Sequence, residues 1–426
     1  MDNLTHSLAG LIIADAALAL RQRGATPPSS PRFRAAALAT SVFANNAPDL
    51  DFVYTGITQG RLGYLLHHRG HTHTLAAVLP LALLSLALGL LVSRLGPRSL
   101  ASADRATLAG LAVLGGLVHV AFDFCNNYGV HPFWPAYSGW FYGDAIFIVD
   151  PWLLLITLGM ALGVSPSPIL RGVLLLGLGA LLALAWLSGL AGVRLAIALT
   201  VASFVWVPAL WRASFAVRWG VGGSALLALG LVLLVTRHNA RASAREALAG
   251  TEPGLTLVDL VSTPAPGNPM CWTLLAVQAS QSSYVVRQGL ASGWPWLSSA
   301  RACPAMSRGQ TAPLGRPSAA APDERRLVWT SEFRAPRARL ESVQRDDCVA
   351  RAFLRFARVP FWVERSERAQ LIGDLRFDRS SAVEFAELPL EAGSPCPRYE
   401  PPWLPPLELP GAAESVAAAG AAPQAD

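Results

Sequence analysis

His67-His68-Arg69-Gly70-His71-Thr72-His73 runs without a break into TLAAVLPLALLSLALGLLV, residues 74–92, and this stretch decides the fold class. The apolar half carries no charge. At 1.5 Å per residue a helix of that length crosses a hydrocarbon core of about 30 Å. The polar half places four imidazoles at the mouth of the span, where burying them costs several kcal/mol unless they are paired, hydrated or metal-bound.

Working outward, comparable runs precede it at Leu4–Leu20 and Phe33–Ala47. Others follow at Ala106–Phe124, Ile146–Leu162, Val173–Val193, Leu195–Leu210 and Trp219–Val235. About eight spans are therefore expected within residues 1–237. The composition agrees: of 426 residues 52% are hydrophobic and 15% charged, and the mean hydropathy is +0.38, far above that of a soluble globular chain. No basic segment precedes the first apolar run, which contains His6 and Asp15, so a cleavable leader is not expected.

The formal charge of +6 comes wholly from arginine, since the chain has no lysine. Arginines fill the first, third, fifth and seventh connections: Arg21 to Arg34, Arg94 to Arg105, Arg171, and Arg212 with Arg218. By the positive-inside rule these connections face the cytoplasm, which leaves the C-terminal part outside. The basic excess thus reads as topology, and nucleic acid is not an expected partner.

After Arg237 the chain turns Pro-rich and polar, with short alternating runs at residues 284–286, 326–333 and 353–363 that read as strands. A smaller β-rich extramembrane domain is expected over 250–400, followed by a disordered tail over 401–426. Cys271, Cys303, Cys348 and Cys396 lie in that domain. An even number outside the cytoplasm is compatible with two disulfides, as it is with buried thiols, and spacing does not specify the pairing.

Seven of the eight His precede residue 132. His119 and Asp123 stand i, i+4 on one helix face, the spacing a divalent ion needs from a rigid element. Asp49 and Asp51 follow Pro48 in a turn, where two carboxylates can reach one cation. His6, the His67–His73 run, His131 and Asp144 complete the set, and all fall at the outer ends of spans. Each motif alone has a plain structural reading. Their segregation to one face favours a convergent metal site.

Met1-Asp2-x-x-Thr5-His6-x-x-x-Gly10, Pro48-Asp49-x-Asp51, His68-Arg69-Gly70-x-Thr72-His73, His119-x-x-x-Asp123 with Asn127-x-Gly129, and Asp150-Pro151 occur in order. With them the chain resembles the YdjM-like family of LexA-regulated inner-membrane proteins, described as metal-dependent hydrolases. The hypothesis is that His6, Asp49, Asp51, His68, His73, His119 and Asp123 hold one or more divalent ions, zinc first and manganese or iron next, as suits a mixed His/carboxylate set. Seven candidates exceed the four ligands of one tetrahedral zinc, so a two-metal cluster is attractive. Thr74 stands where the family often has Ser, and His67 and His71 lie outside the motif. In the expected mechanism Arg69 neutralises a phosphate and Asp150 serves as general base or supports the ligands. The substrate is then a phosphoester or lipid-linked molecule at the outer face of the inner membrane, with membrane lipids as surroundings. The competing readings are a transporter or metal-handling protein without hydrolysis, and an inert scaffold presenting the β-rich domain.

Overall fold

A helix satisfies its own backbone in lipid, and the computed structural model is mainly helical over the first 248 residues, with an irregular stretch at 125–150. It describes residues 1–23, 30–55, 57–58, 60–94, 100–165, 167–187, 192–249, 251–306, 309–321, 323–365, 368–391 and 393–409; most of the tail expected to be disordered lies outside these. The chain divides into two compact units. The first holds Met1–Val53, Arg69–Val235 and Pro264–Pro269, and the second Tyr54–His68, Thr236–Thr263 and Met270 onward.

The first unit contains α1 (Asn3–Arg23) and α2 (Pro31–Ala44), the latter followed by a 3-10 turn over Ala47–Asp51. Then come α3 (Phe52–Thr55) and α4 (Gly60–His67), of which α4 belongs to the second unit. After a 3-10 turn over His71–His73 the bundle resumes with α5 (Leu75–Arg94), α6 (Ser102–Phe124), α7 (Pro151–Val164), α8 (Pro168–Leu187), α9 (Val193–Arg212) and α10 (Phe215–Leu248). α2 packs on α1, α5 and α6, and α7 packs on α1 and α9. A core of Leu8, Leu158, Ala161, Leu162, Leu199 and Val207 runs through the unit. Gly10 lets α1 approach α2 closely: a Cβ there would stand 2.7 Å from the Val42 Cα, and Ser41 Oγ donates to the Gly10 carbonyl at 2.8 Å.

Six helices among the described residues are long and apolar enough to cross a membrane: α1, α5, α6, α8, α9 and α10. The other two expected spans are shorter helices, α2 and α7, of 14 residues each, or about 21 Å. Local polar groups set their ends. The amides of Asn45 and Asn46 turn back onto the carbonyls of Ser41 and Val42, both at 2.8 Å, and close α2. Asp150 Oδ1 accepts from Leu153 N at 2.9 Å and starts α7 at Pro151, so the apolar residues 146–149 stay outside the helix. In the other direction, α10 continues well past Val235 because Arg237–Leu248 is rich in Ala, Arg and Glu, all good helix formers.

Alternating helix directions separate two ends of this unit. At one end Arg21 of α1 meets Asp104 of α6 at 3.2 Å, Arg34 of α2 reaches the Val164 carbonyl of α7 at 2.9 Å, and Arg218 of α10 pairs with Asp15 at 2.9 Å. At the other end lie the start of α1, the turn after α2, the start of α5 and the end of α6, which carry His6, Asp49, His73 and Asp123.

The second unit is built on a four-stranded sheet in the order β1 (Thr256–Ala265), β2 (Asn268–Ala279), β3 (Ser283–Ser292), β4 (Leu327–Pro336). β2–β3 and β3–β4 are antiparallel, with a bulge at Gln288/Gly289. Helices α11 (Arg337–Asp346) and α12 (Cys348–Phe353) lead to a three-stranded sheet of β5 (Pro360–Arg365), β6 (Arg368–Asp374) and β7 (Glu387–Pro389). The 353–363 run expected as one strand is thus divided between the end of α12 and β5. Tyr284, Phe333 and Trp362 pack ring on ring between the two sheets. Arg287, fully buried, is neutralised by Glu332 at 3.0 Å and by Glu252. Cysteines pair as Cys271–Cys303 and Cys348–Cys396. The Tyr54–His68 segment is held inside this unit, with Trp403 Nε1 donating to the Leu66 carbonyl at 2.7 Å.

Candidate metal centre

α6 supplies His119 and Asp123 one turn apart on its buried face. The 3-10 turn after α2 folds Asp49 toward them, and the turn before α5 delivers His73. All four side chains are buried. The His119 and His73 Nε2 atoms lie 3.0 Å apart. From His73 Nε2 it is 3.4 Å to Asp49 Oδ1 and 3.1 Å to Asp123 Oδ2, and from His119 Nε2 it is 3.6 Å and 3.4 Å to the same oxygens. A tetrahedral ion with bonds of 2.0–2.1 Å would set such ligand atoms about 3.3–3.4 Å apart.

The neighbours fix which way the rings face. His119 Nδ1 stands 2.7 Å from the Asn45 carbonyl, which can only accept, so the proton sits on Nδ1. His73 Nδ1 stands 3.0 Å from Thr72 Oγ1 and 3.5 Å from Asp51 Oδ2, while the Thr72 hydroxyl donates to Asp51 at 3.0 Å. The Nδ1 proton of His73 is assigned by the same reasoning. With Nδ1 so engaged on each ring, both Nε2 atoms face the Asp49 and Asp123 carboxylate oxygens. Four acceptors converging on one point in a buried place call for a cation, and a His2Asp2 donor set fits zinc, manganese or iron.

Asp51 and Asn45 do the work of orienting ligands. Asn3 Nδ2 holds the second oxygen of Asp49 at 2.8 Å, leaving Oδ1 for the cluster. Asp123 is shared more widely. Its Oδ1 is 3.2 Å from His6 Nε2 and lies against the Met1 amino group, while Arg69 Nε reaches Oδ2 at 3.1 Å. The His6 ring stacks on His119 at 3.8 Å. Arg69 is buried, has φ +60° and donates to Asn126 Oδ1 at 2.8 Å. Its guanidinium lies over the Tyr128 ring, and its backbone N–H donates to Asp51 at 3.0 Å.

Of the seven expected ligands, Asp49, His73, His119 and Asp123 converge. His6 touches Asp123 from the outside, and Asp51 sits behind His73. His68, at the end of α4 in the second unit, is buried with its ring stacked on Tyr64 at 4.9 Å. Arg69 lies at the cluster, whereas the Asp150 carboxylate serves as the N-cap of α7. His131 is buried in the loop after α6, with Nδ1 3.1 Å from the Gly139 carbonyl. Asn3 and Asn45 are not singled out by sequence. Thr72 is a named residue of the His68–His73 motif without a role assigned to it, Asn3 is a spacer position of the first motif, and Asn45 acts through its carbonyl, which every residue possesses.

Apolar helices long enough to cross a bilayer, together with a buried Asp/His cluster able to hold a metal ion, define a multi-pass membrane protein with a candidate metal centre. The YdjM inner membrane protein family matches residues 1–207, which take in every residue of this cluster, and that part of the chain is similar to the family. No curated protein and no solved structure matches the chain.

Proposed function

We propose that the protein is a membrane-embedded metal-dependent hydrolase whose centre faces the extracytoplasmic side and acts on a phosphoester, including lipid-linked ones. The observation that carries this reading is the convergence of Asp49, His73, His119 and Asp123 with both Nδ1 atoms already committed to acceptors. A divalent ion held there, zinc first, supplies the Lewis acid that hydrolysis of a phosphoester needs. Arg69 holds Asp123 and brings a fixed positive charge to the rim, where the fork of its guanidinium suits phosphate oxygens. Asp51 and Asn45 keep the imidazoles aimed, and Asp150 keeps α7 in register.

The arginine-bearing helix ends are assigned to the cytoplasm, which puts the metal centre and the disulfide-bonded second unit outside. In this topology α2 with its 3-10 turn and the short α7 make up eight crossings. The five turn residues add about 10 Å to α2 and bring it to bilayer thickness. A transporter would place its ion near the midplane between broken helices; a cluster at helix ends favours hydrolysis. Metal analysis of the purified protein, followed by a phosphoester screen with His119→Ala as control, tests the reading. Bound metal without turnover on any ester would transfer the site to metal handling.

A further inference from the structure

At the end of the bundle away from the metal centre, three guanidiniums gather on the last residues of α7. Arg34 donates to the Val164 carbonyl at 2.9 Å and Arg171 to the Ser165 carbonyl at 3.1 Å. Arg218 crosses Gly163, where a Cβ would stand 2.5 Å from its terminal nitrogen. Arg218 is neutralised by Asp15 and also donates to the Ala213 carbonyl at 3.2 Å. Arg34 and Arg171 have helix carbonyls as their partners, and the terminus of α7 offers only about half a negative charge. Among the described residues, more than one positive charge is left uncompensated here.

Among the described residues, four buried polar atoms here have no hydrogen-bond partner: Nε of Arg34, Nε of Arg171, Nε of Arg218 and Oγ of Ser165, the last on a residue 2% exposed. Buried donors are normally satisfied, and every one of these can donate to an anion. The start of α8 adds its positive end. Ser167 caps it by accepting from Leu170 N at 3.1 Å, and Arg171 stands in its first turn. Beyond Arg171 the outer face of α8 is apolar and open, with Ile169 78%, Val173 58% and Leu176 74% exposed at helical spacing.

We infer that Ser165, Arg34, Arg171 and the start of α8 form a binding site for the phosphate of an anionic membrane lipid, its acyl chains lying along Ile169, Val173 and Leu176. The shared chemistry is a phosphate. The apolar stripe beside it favours a lipid over the free ion, since inorganic phosphate gains nothing from that surface. The site is independent of the metal chemistry.

The test is retention of lipid by the full-length protein in detergent, read by native mass spectrometry. The probes are phosphatidylglycerol, phosphatidylcholine of the same chains, and inorganic phosphate. Phosphatidylglycerol should be retained, phosphatidylcholine and phosphate should not. Arg34→Gln with Arg171→Gln should weaken retention by roughly ten-fold or more, as expected for two lost charge-assisted hydrogen bonds. Metal content reports that the bundle still folds. Should the double variant not fold, Arg171→Lys against Arg171→Gln decides, with the lysine variant retaining more lipid. Equal retention of both lipids, an unchanged Arg171→Gln variant, or equal binding of phosphate alone would overturn the proposal.

Discussion

Two imidazoles with their Nδ1 protons committed to the Asn45 carbonyl and to the Thr72–Asp51 pair have no freedom to swap tautomers, and their Nε2 lone pairs face Asp49 and Asp123. His119→Ala removes a ligand and should abolish stoichiometric metal binding. Asp51→Asn removes no ligand from the cluster of four. It should still lower divalent affinity about 10–100-fold by loosening His73, measured by competition with a chelating dye. An unchanged affinity would take Asp51 out of the supporting role. His119 and Asp123 were legible in the sequence because their spacing maps directly onto one helix face. Asn45 was not, because a backbone carbonyl leaves no signature in residue type. In the second unit, burial raises Glu387 from its ordinary 4.5 to about 7, against a backbone hydrogen bond from Glu384 and with the help of the Asp378 charge. A carboxyl whose folded pKa is raised binds its proton more tightly in the folded chain. Its contribution is therefore full below about 4.5 and is lost as pH climbs toward 7, by roughly 2–3 kcal/mol. Thermal melts from pH 5 to 7.5 should show this decline, and Glu387→Gln should flatten it.

At the scale of elements, the cluster depends on how closely α6 lies on α2. A Cβ at Gly115 would stand 2.6 Å from the Ala44 Cβ and 2.9 Å from Asn45 Nδ2, so the glycine sets the distance at which Asn45 meets His119. Gly115→Val should push α6 outward and cut metal occupancy several-fold with every ligand intact, an effect on the order of the 1–3 kcal/mol that overpacking costs. Full occupancy in that variant would show that the helices tolerate separation. The same helices mark the limit of reading spans from hydropathy. An apolar run reports what can sit in lipid, and α5, α6 and α9 follow their runs closely, while α8 begins five residues before its run. Helix ends are decided by single polar groups, and the Asn45 and Asn46 amides and the Asp150 carboxylate shorten α2 and α7 below the runs that announced them. Strands β1 and β2 escaped notice because both are buried over most of their length and lack clear alternation. The aromatic and β-branched runs of β3 and β4 stood out.

For the whole molecule, sidedness links observations that are otherwise separate. Under the proposed orientation the arginine-bearing ends face the cytoplasm, and the metal centre and the two disulfides of the second unit face outside. Disulfides persist in oxidising compartments and are rare in the cytosol, so the thiols report on topology independently of the arginine count. Of the five cysteines, Cys271, Cys303, Cys348 and Cys396 are joined in disulfides and Cys125 is in none. Membranes prepared without reductant, then denatured and treated with a mass-adding maleimide, should show one reactive thiol per chain, and five after reduction. A periplasmic reporter enzyme fused after the second unit should be active on the same argument. Five reactive thiols before reduction, with a silent reporter, would place the second unit in the cytoplasm. Because the proposed orientations of the second unit and of the metal centre rest on the same alternation of helix ends, the proposed hydrolase would then have to find its substrate on the inner leaflet.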